Sequence, residues 1–144
     1  RHTRYISVTG VQTCALPILM AAADGGLAHF DLRWHDDAAL VVVMAANGYP
    51  GTPQKGTIIE GIADAAKIEG VTVFHAGTKE ELRDGKNVIL ANGGRVLGVT
   101  GTGKTVAEAQ KRAYAGVDAI RWPGGFCRRD IGWRALKRES GPTN

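Results

Sequence analysis

Residues 98–105, GVTGTGKT, force a choice between two kinds of fold. Written as G-x-x-x-x-G-K-T, the stretch matches the Walker A loop. There a glycine-rich backbone cradles phosphates, the Lys reaches the β- and γ-phosphates, and the Thr hydroxyl holds Mg²⁺. Such a loop ends a strand of a parallel sheet fed by crossover helices. The immediate flanks suit it: residues 95–99 read as a strand and residues 105–109 open a helical pattern. The wider surroundings do not. A Walker B Asp should close a later apolar strand, yet residues 106–144 hold one helical pattern and a short tail. Upstream, residues 87–91 and 95–99 flank Asn92-Gly93-Gly94, and Asn-Gly between two apolar runs is the strongest short hairpin signal. That gives the strand an antiparallel partner. The same residues have a plainer role. Thr105-Val106-Ala107-Glu108 is a capping box, with Thr as N-cap and Glu at N3. Gly101 and Gly103 permit the turn from strand to helix, and Lys104 is then exposed. Phosphate binding stays as an alternative, since a helix N-terminus attracts anions in any fold.

The remaining patterns point the same way. LMAAADGGLAHFDLRW reads as a helix end, a turn at Asp24-Gly25-Gly26, and a strand. With the turn His35-Asp36-Asp37, the DLRW segment and residues 38–46, AALVVVMAA, form an antiparallel hairpin. The unbroken apolar run suggests a strand buried on both faces, although periodicity alone also admits a buried helical segment. NGYPGTPQKG, residues 47–56, is a structured loop. Residues 57–61 suggest a short strand, 62–68 a helix stopped by Gly70, 71–74 a strand, and 79–84 a polar excursion. Val106, Ala109, Ala113, Val117 and Ile120 share one face of a helix running from residue 105 to about 121, ended by Pro123 and Gly124. The tail has a short apolar-polar pattern and a basic, exposed, edge-prone end. The expected fold is α+β: a small, mostly antiparallel sheet or partial barrel with two helices.

Length and composition bound this reading. A chain of 144 residues with 44% hydrophobic and 22% charged residues fits one globular domain. The net charge of +4 is spread thinly, with its densest cluster at Arg128, Arg129, Arg134, Lys137 and Arg138. That footprint suits an anionic substrate or a solvated end better than nucleic acid. Cys14 and Cys127 lie far apart, and His2, His29, His35 and His75 are scattered, so no metal spacing exists. Two reduced thiols suit a cytoplasmic protein, and no apolar run approaches a membrane span. Residues 1–18 contain no acidic residue, and SVTGVQTCALPI resembles translated adapter sequence. The expectation is therefore a non-native leader over 1–18, a domain over 19–139, and a disordered tail over 140–144.

Five stretches occur in order: NGYPGTPQKG, VFHAGT, NGGRVLGVTG, TVAEAQKRAYAGVDAI and GFCRRDIGWRAL. Together they resemble the C-terminal domain of the glycinamide ribonucleotide synthetases (phosphoribosylamine–glycine ligases), members of the ATP-grasp family. The resemblance runs from about Leu19 to Glu139. It implies a ligase that joins 5-phosphoribosylamine and glycine, with ATP giving ADP and phosphate. It also implies that ATP and Mg²⁺ are bound by upstream domains absent from this chain, together with the family's RFGDPE-type segment. The fragment is then expected to be inactive alone and to hold no cofactor, metal or catalytic residue. Its partners are the two substrates and the upstream ATP-grasp domains, with no nucleic acid and no membrane.

By the same resemblance, the substrate side is expected to involve Gly48, Tyr49, Pro50, Lys55, Arg129 and Asp130. Lys55 or Arg129 suits a sugar phosphate, Lys as a point charge and Arg as a bidentate fork. Against this, Arg129 and Asp130 can pair with each other or with neighbouring segments, as surface charges commonly do. Tyr49 and Trp133 read as packing residues, and His75 as a hydrogen-bonded structural His. Two other functions compete: a stand-alone nucleotide- or anion-binding module using residues 98–105, and a biotinyl- or lipoyl-like domain. The latter wants an exposed Lys at a hairpin tip, and Asn92-Gly93-Gly94 offers none.

Overall fold

The computed structural model describes residues 17–29 and 35–141, which fall into two compact units, residues 1–35 and 36–144. In the first, residues 17–23 are helical. The helix ends as its Gly-Gly pair dictates. Gly25 takes the left-handed conformation (φ 68°), and Gly26 N–H reaches back to the Ala21 carbonyl at 2.7 Å, the bond of a Schellman stop. Residues 27–29 form a 3₁₀ turn. The DLRW strand and its hairpin fall largely outside the described residues, as do residues 1–16 of the expected leader and 142–144 of the expected tail.

The second unit holds two open antiparallel sheets. The first is ordered β3–β6–β1–β7, from Val71–His75, Arg95–Gly103, Ala38–Ala46 and Gly125–Cys127. The second is β2–β5–β4, from Ile58–Ile59, Lys86–Ala91 and Thr78–Arg83. The helices are α1 (Ile62–Ala65), α2 (Val106–Ala119) and α3 (Trp133–Glu139). The α+β class and antiparallel pairing agree with the sequence, and the tail contributes an edge strand and a further helix.

The polar excursion at 79–84 is a strand, β4. Its partner β5 is reached through Asp84-Gly85, both at positive φ (49° and 75°), with Arg83 opposite Lys86. That is the two-residue turn whose twist suits a hairpin. The Asn92-Gly93-Gly94 hairpin does not form. β6 is already paired on both edges, with β1 and β3, and β5 with β2 and β4. Residues 71–83 and 86–101 instead make one long ladder, bent in the middle. Between His75↔Leu97 and Thr78↔Ala91 lie two residues on one strand and five on the other. Gly77 and Gly93 touch at the bend, where a side chain on either would collide with the other's backbone.

β1 is a strand, but not one buried on both faces. Leu40, Val42 and Met44 point into the core, while Val41 (48% exposed) and Val43 (43%) point away from it. The inward set meets Val99 of β6 and Ala109, Ala113 and Val117 of α2. Gly101 and Gly103 serve packing rather than the turn. Both lie within β6, and a Cβ on Gly101 would overlap the backbone of Ala109 and Ala113. Small residues on helix and strand thus let α2 lie close on one face of the sheet.

Candidate functional site

The Walker-like segment is occupied by the protein's own groups. Thr105 Oγ1 accepts from the Glu108 N–H at 3.1 Å, as the capping box predicts. The Glu108 carboxylate reaches back to the Lys104 N–H at 2.8 Å. Glu139, at the end of α3, takes the N–H groups of Val106 (2.9 Å) and Ala107 (3.2 Å) on its two oxygens. Lys104 is exposed and donates to Asp37 at 2.6 Å, a contact that raises its pKa above the ordinary lysine value. β6 runs antiparallel to both neighbours. The amides and the ammonium a phosphate would need are already neutralised.

A different place suits an anion. On the sheet face turned away from the core, Val41 and Val43 of β1 and Phe126 of β7 leave apolar surface uncovered. Arg95 and Phe126 flank Ala45 in register on its two sides. Tyr49 is part of the lining. Its loop turns through Gly48 at φ 89° and a cis Tyr49–Pro50 bond, and the Tyr49 ring lies where a Gly94 side chain would be. The result is a shallow groove of about 240 Å³ with an apolar floor, lined also by Arg128 and Ile131. Arg128 is oriented by Asp130, which accepts from Nε at 2.9 Å and Nη2 at 2.6 Å. This pairing holds the Asp130 carboxyl below its ordinary pKa and raises that of Arg128. Among the described residues Arg95 has no ion pair.

The structure brings some expected residues together and separates others. Tyr49 lines the groove, with Gly48 and Pro50 beside it in the chain. Lys55 is exposed on the same loop and does not line the groove. Arg129 and Asp130 do not pair with each other. Arg129 donates to Asp118 at 2.7 Å and its guanidinium lies over the Tyr114 ring, 5.5 Å from the centroid, while Asp130 holds Arg128. Sequence reasoning places Arg128 only within the basic cluster suited to an anionic substrate, and does not single out Arg95. Their signal was positional: Arg95 starts a strand beside the β1 bulge at Met44/Ala45, and Arg128 directly follows an edge strand. Trp133 is not packed away. It is half-exposed, under the Arg134 guanidinium at 5.2 Å. His75 Nδ1 lies 3.0 Å from Thr78 Oγ1. Among the described residues no group of three or more His, Cys, Asp or Glu is placed to hold a metal ion. Among them, too, no helix is long and apolar enough to cross a membrane.

These features define an α+β domain with one helix-covered face and one open face carrying an arginine-rimmed groove. The family model for the phosphoribosylglycinamide synthetase C domain matches residues 39–134, and the chain belongs to that family. It is 62% identical over 124 residues to a phosphoribosylamine–glycine ligase of Mesorhizobium japonicum, covering 86% of this chain and 28% of that one. The Escherichia coli K12 enzyme of the same name is 51% identical over 122 residues, covering 85% and 28%. The solved phosphoribosylamine–glycine ligase of Thermotoga maritima superposes with a TM-score of 0.59 at 34% identity, covering 78% and 27%. The chain therefore spans little more than a quarter of the length of these relatives.

Proposed function

We propose that this chain is the substrate-side domain of a phosphoribosylamine–glycine ligase of purine biosynthesis, and that the groove receives the anionic sugar-phosphate substrate. The observation that carries the reading is the placement of Arg95 and Arg128 around an apolar floor on the face α2 leaves open. In the reaction, the carboxylate of glycine takes a phosphoryl group from ATP. The amine of 5-phosphoribosylamine then attacks the acyl phosphate, forming the amide and releasing phosphate. ATP and Mg²⁺ belong to the upstream part of the ligase. An acyl phosphate hydrolyses readily, so the site must close against water. This domain contributes to that closure by its apolar face, and to substrate binding by its cations.

Arg128 takes the role first expected of Arg129, because Asp118 engages Arg129 while Asp130 uses only two of the five guanidinium N–H groups of Arg128. Gly48, Tyr49 and Pro50 form the wall, Asp130 orients the fork, and Lys55 stands at the loop as a further cation. We place the ligase-derived part of the chain from about residue 19 to residue 139, and expect it to be inactive alone in the cytoplasm of its cell.

The test is a hybrid in which residues 36–141 replace the matching C-terminal part of the Mesorhizobium japonicum enzyme. Phosphate release that requires ATP, glycine and phosphoribosylamine together is expected from the hybrid and not from the 144-residue chain. A well-folded hybrid with no turnover, or turnover by the chain alone, refutes the proposal.

A further inference from the structure

The two adjacent arginines, Arg128 and Arg129, meet different fates, and α2 is the reason. Gln110, Tyr114 and Asp118 are spaced four residues apart along α2 and so share one helix face. Each grips the segment that follows β7. Gln110 Nε2 donates to the Ile131 carbonyl at 2.7 Å. The Tyr114 hydroxyl donates to the Arg128 carbonyl at 2.9 Å and accepts from the Ile131 N–H at 3.1 Å. Asp118 accepts from Arg129 Nη1 at 2.7 Å, and the same guanidinium lies over the Tyr114 ring. On its other side Arg128 follows Cys127, which pairs with Met44 in the sheet.

We infer that the stripe Gln110, Tyr114 and Asp118 positions the substrate-facing arginine, fixing the backbone at Arg128 and Ile131 while drawing Arg129 away from the groove. This rests on the ligase reading above. The physical logic is preorganisation. Arg128 lies on an exposed stretch between an edge strand and α3, where a free backbone would spread its guanidinium over many positions. An anchor misplaced by about 1 Å binds a phosphate poorly. Tyr114 is suited to the task because one hydroxyl satisfies both a carbonyl and an N–H three residues apart, and α2 is itself held against the sheet through Gly101 and Gly116. The three residues touch no substrate, so they are positioning residues.

The test uses the hybrid ligase, with KM for phosphoribosylamine and kcat measured separately. Tyr114→Phe removes only the hydroxyl and is expected to raise that KM about tenfold with kcat within about twofold. Asp118→Asn, at an exposed position, is expected to raise it about threefold by releasing Arg129. Both variants should leave the KM for ATP unchanged, which a general loss of structure would not. Arg128→Met is the reference. A large rise in KM from Arg128→Met with none from Tyr114→Phe overturns the positioning role and leaves the groove reading intact. No rise from Arg128→Met overturns both.

Discussion

Two basic places on this domain look able to take a phosphate, and they differ in what the fold has already put there. At the N-terminus of α2, Lys104 is held by Asp37, and the first free amides go to Glu139, Glu108 and Thr105. At the groove, Arg95 has no carboxylate within reach among the described residues, and the one carboxylate on Arg128 serves as a brace. The first place has the better motif and the second has the better vacancy. An anion site is defined by donors that the protein leaves uncommitted, since a carboxylate already bonded to an amide must be displaced before a ligand can bind.

The sharpest way to break this comparison is to remove the groove's fork. In the hybrid ligase, Arg128→Met is expected to raise the KM for phosphoribosylamine about thirtyfold, within the range of a charged hydrogen bond lost to a phosphate. Arg128→Lys should recover only part of it, because an ammonium cannot present a planar fork. Steady-state kinetics in phosphoribosylamine at saturating ATP and glycine decide it. A KM within threefold of the parent would remove the groove from substrate binding.

The sealed end can be opened as well. Glu139→Ala deprives Val106 and Ala107 of their acceptor and is expected to lower stability by about 1 kcal/mol, the usual worth of a helix cap. Urea unfolding of the chain measures this. Mg-ATP binding that appears only in this variant would show that the carboxylate masks a working phosphate site, and the two places would then differ in degree only.

How far such differences can be read in a sequence depends on the range of the interactions. The strand-to-helix turn and its cap were legible because Thr105 and Glu108 act within one turn of helix. Glu139 was not, because it comes from 32 residues away. The face of β1 was misjudged for a related reason. AALVVVMAA is apolar at every position, so only the tertiary arrangement tells Val42, wholly buried, from Val41, half-exposed. The hairpin went to the wrong Gly. Asn92-Gly93-Gly94 lies between apolar runs, whereas Asp84-Gly85 has the polar β4 on one side and Lys86-Asn87 on the other, and apolar flanks report burial, not pairing. Groove residues such as Arg95 and Phe126 become neighbours only through Ala45, a strand that neither of them belongs to.

The brace on Arg128 makes a smaller and more local prediction. Asp130 accepts two hydrogen bonds from Arg128, and these hold its pKa below the ordinary carboxylate value. A depressed carboxylate pKa means the pair is fully formed above the ordinary value and is lost as pH falls through the depressed one. Carbon-13 titration of the Asp130 carboxyl should therefore show a midpoint below that of an unpaired Asp, and Arg128→Met should move it back up. An unmoved midpoint would mean that Asp130 is held by something other than Arg128 and does not orient the fork.

The smallest effect is expected where the motif is most suggestive. In a working Walker loop the Lys contacts the β- and γ-phosphates, so its removal abolishes nucleotide binding. Here Lys104 is exposed and bonded to Asp37, which keeps it charged throughout the neutral range but turns it toward a protein carboxylate. Exposed ion pairs of this kind are worth little, so Lys104→Ala should shift the urea midpoint barely beyond error. Any Mg-ATP affinity of the chain, measured by calorimetry, should change by less than about twofold. The double variant Lys104→Ala, Glu139→Ala separates the two possible reasons for a null result. If ATP binds to Glu139→Ala and the second substitution abolishes it, Lys104 is a phosphate ligand held in reserve. If neither variant binds, residues 98–105 are a strand end and a helix cap whose resemblance to a phosphate loop comes from Gly101 and Gly103, small so that α2 can pack close against β6.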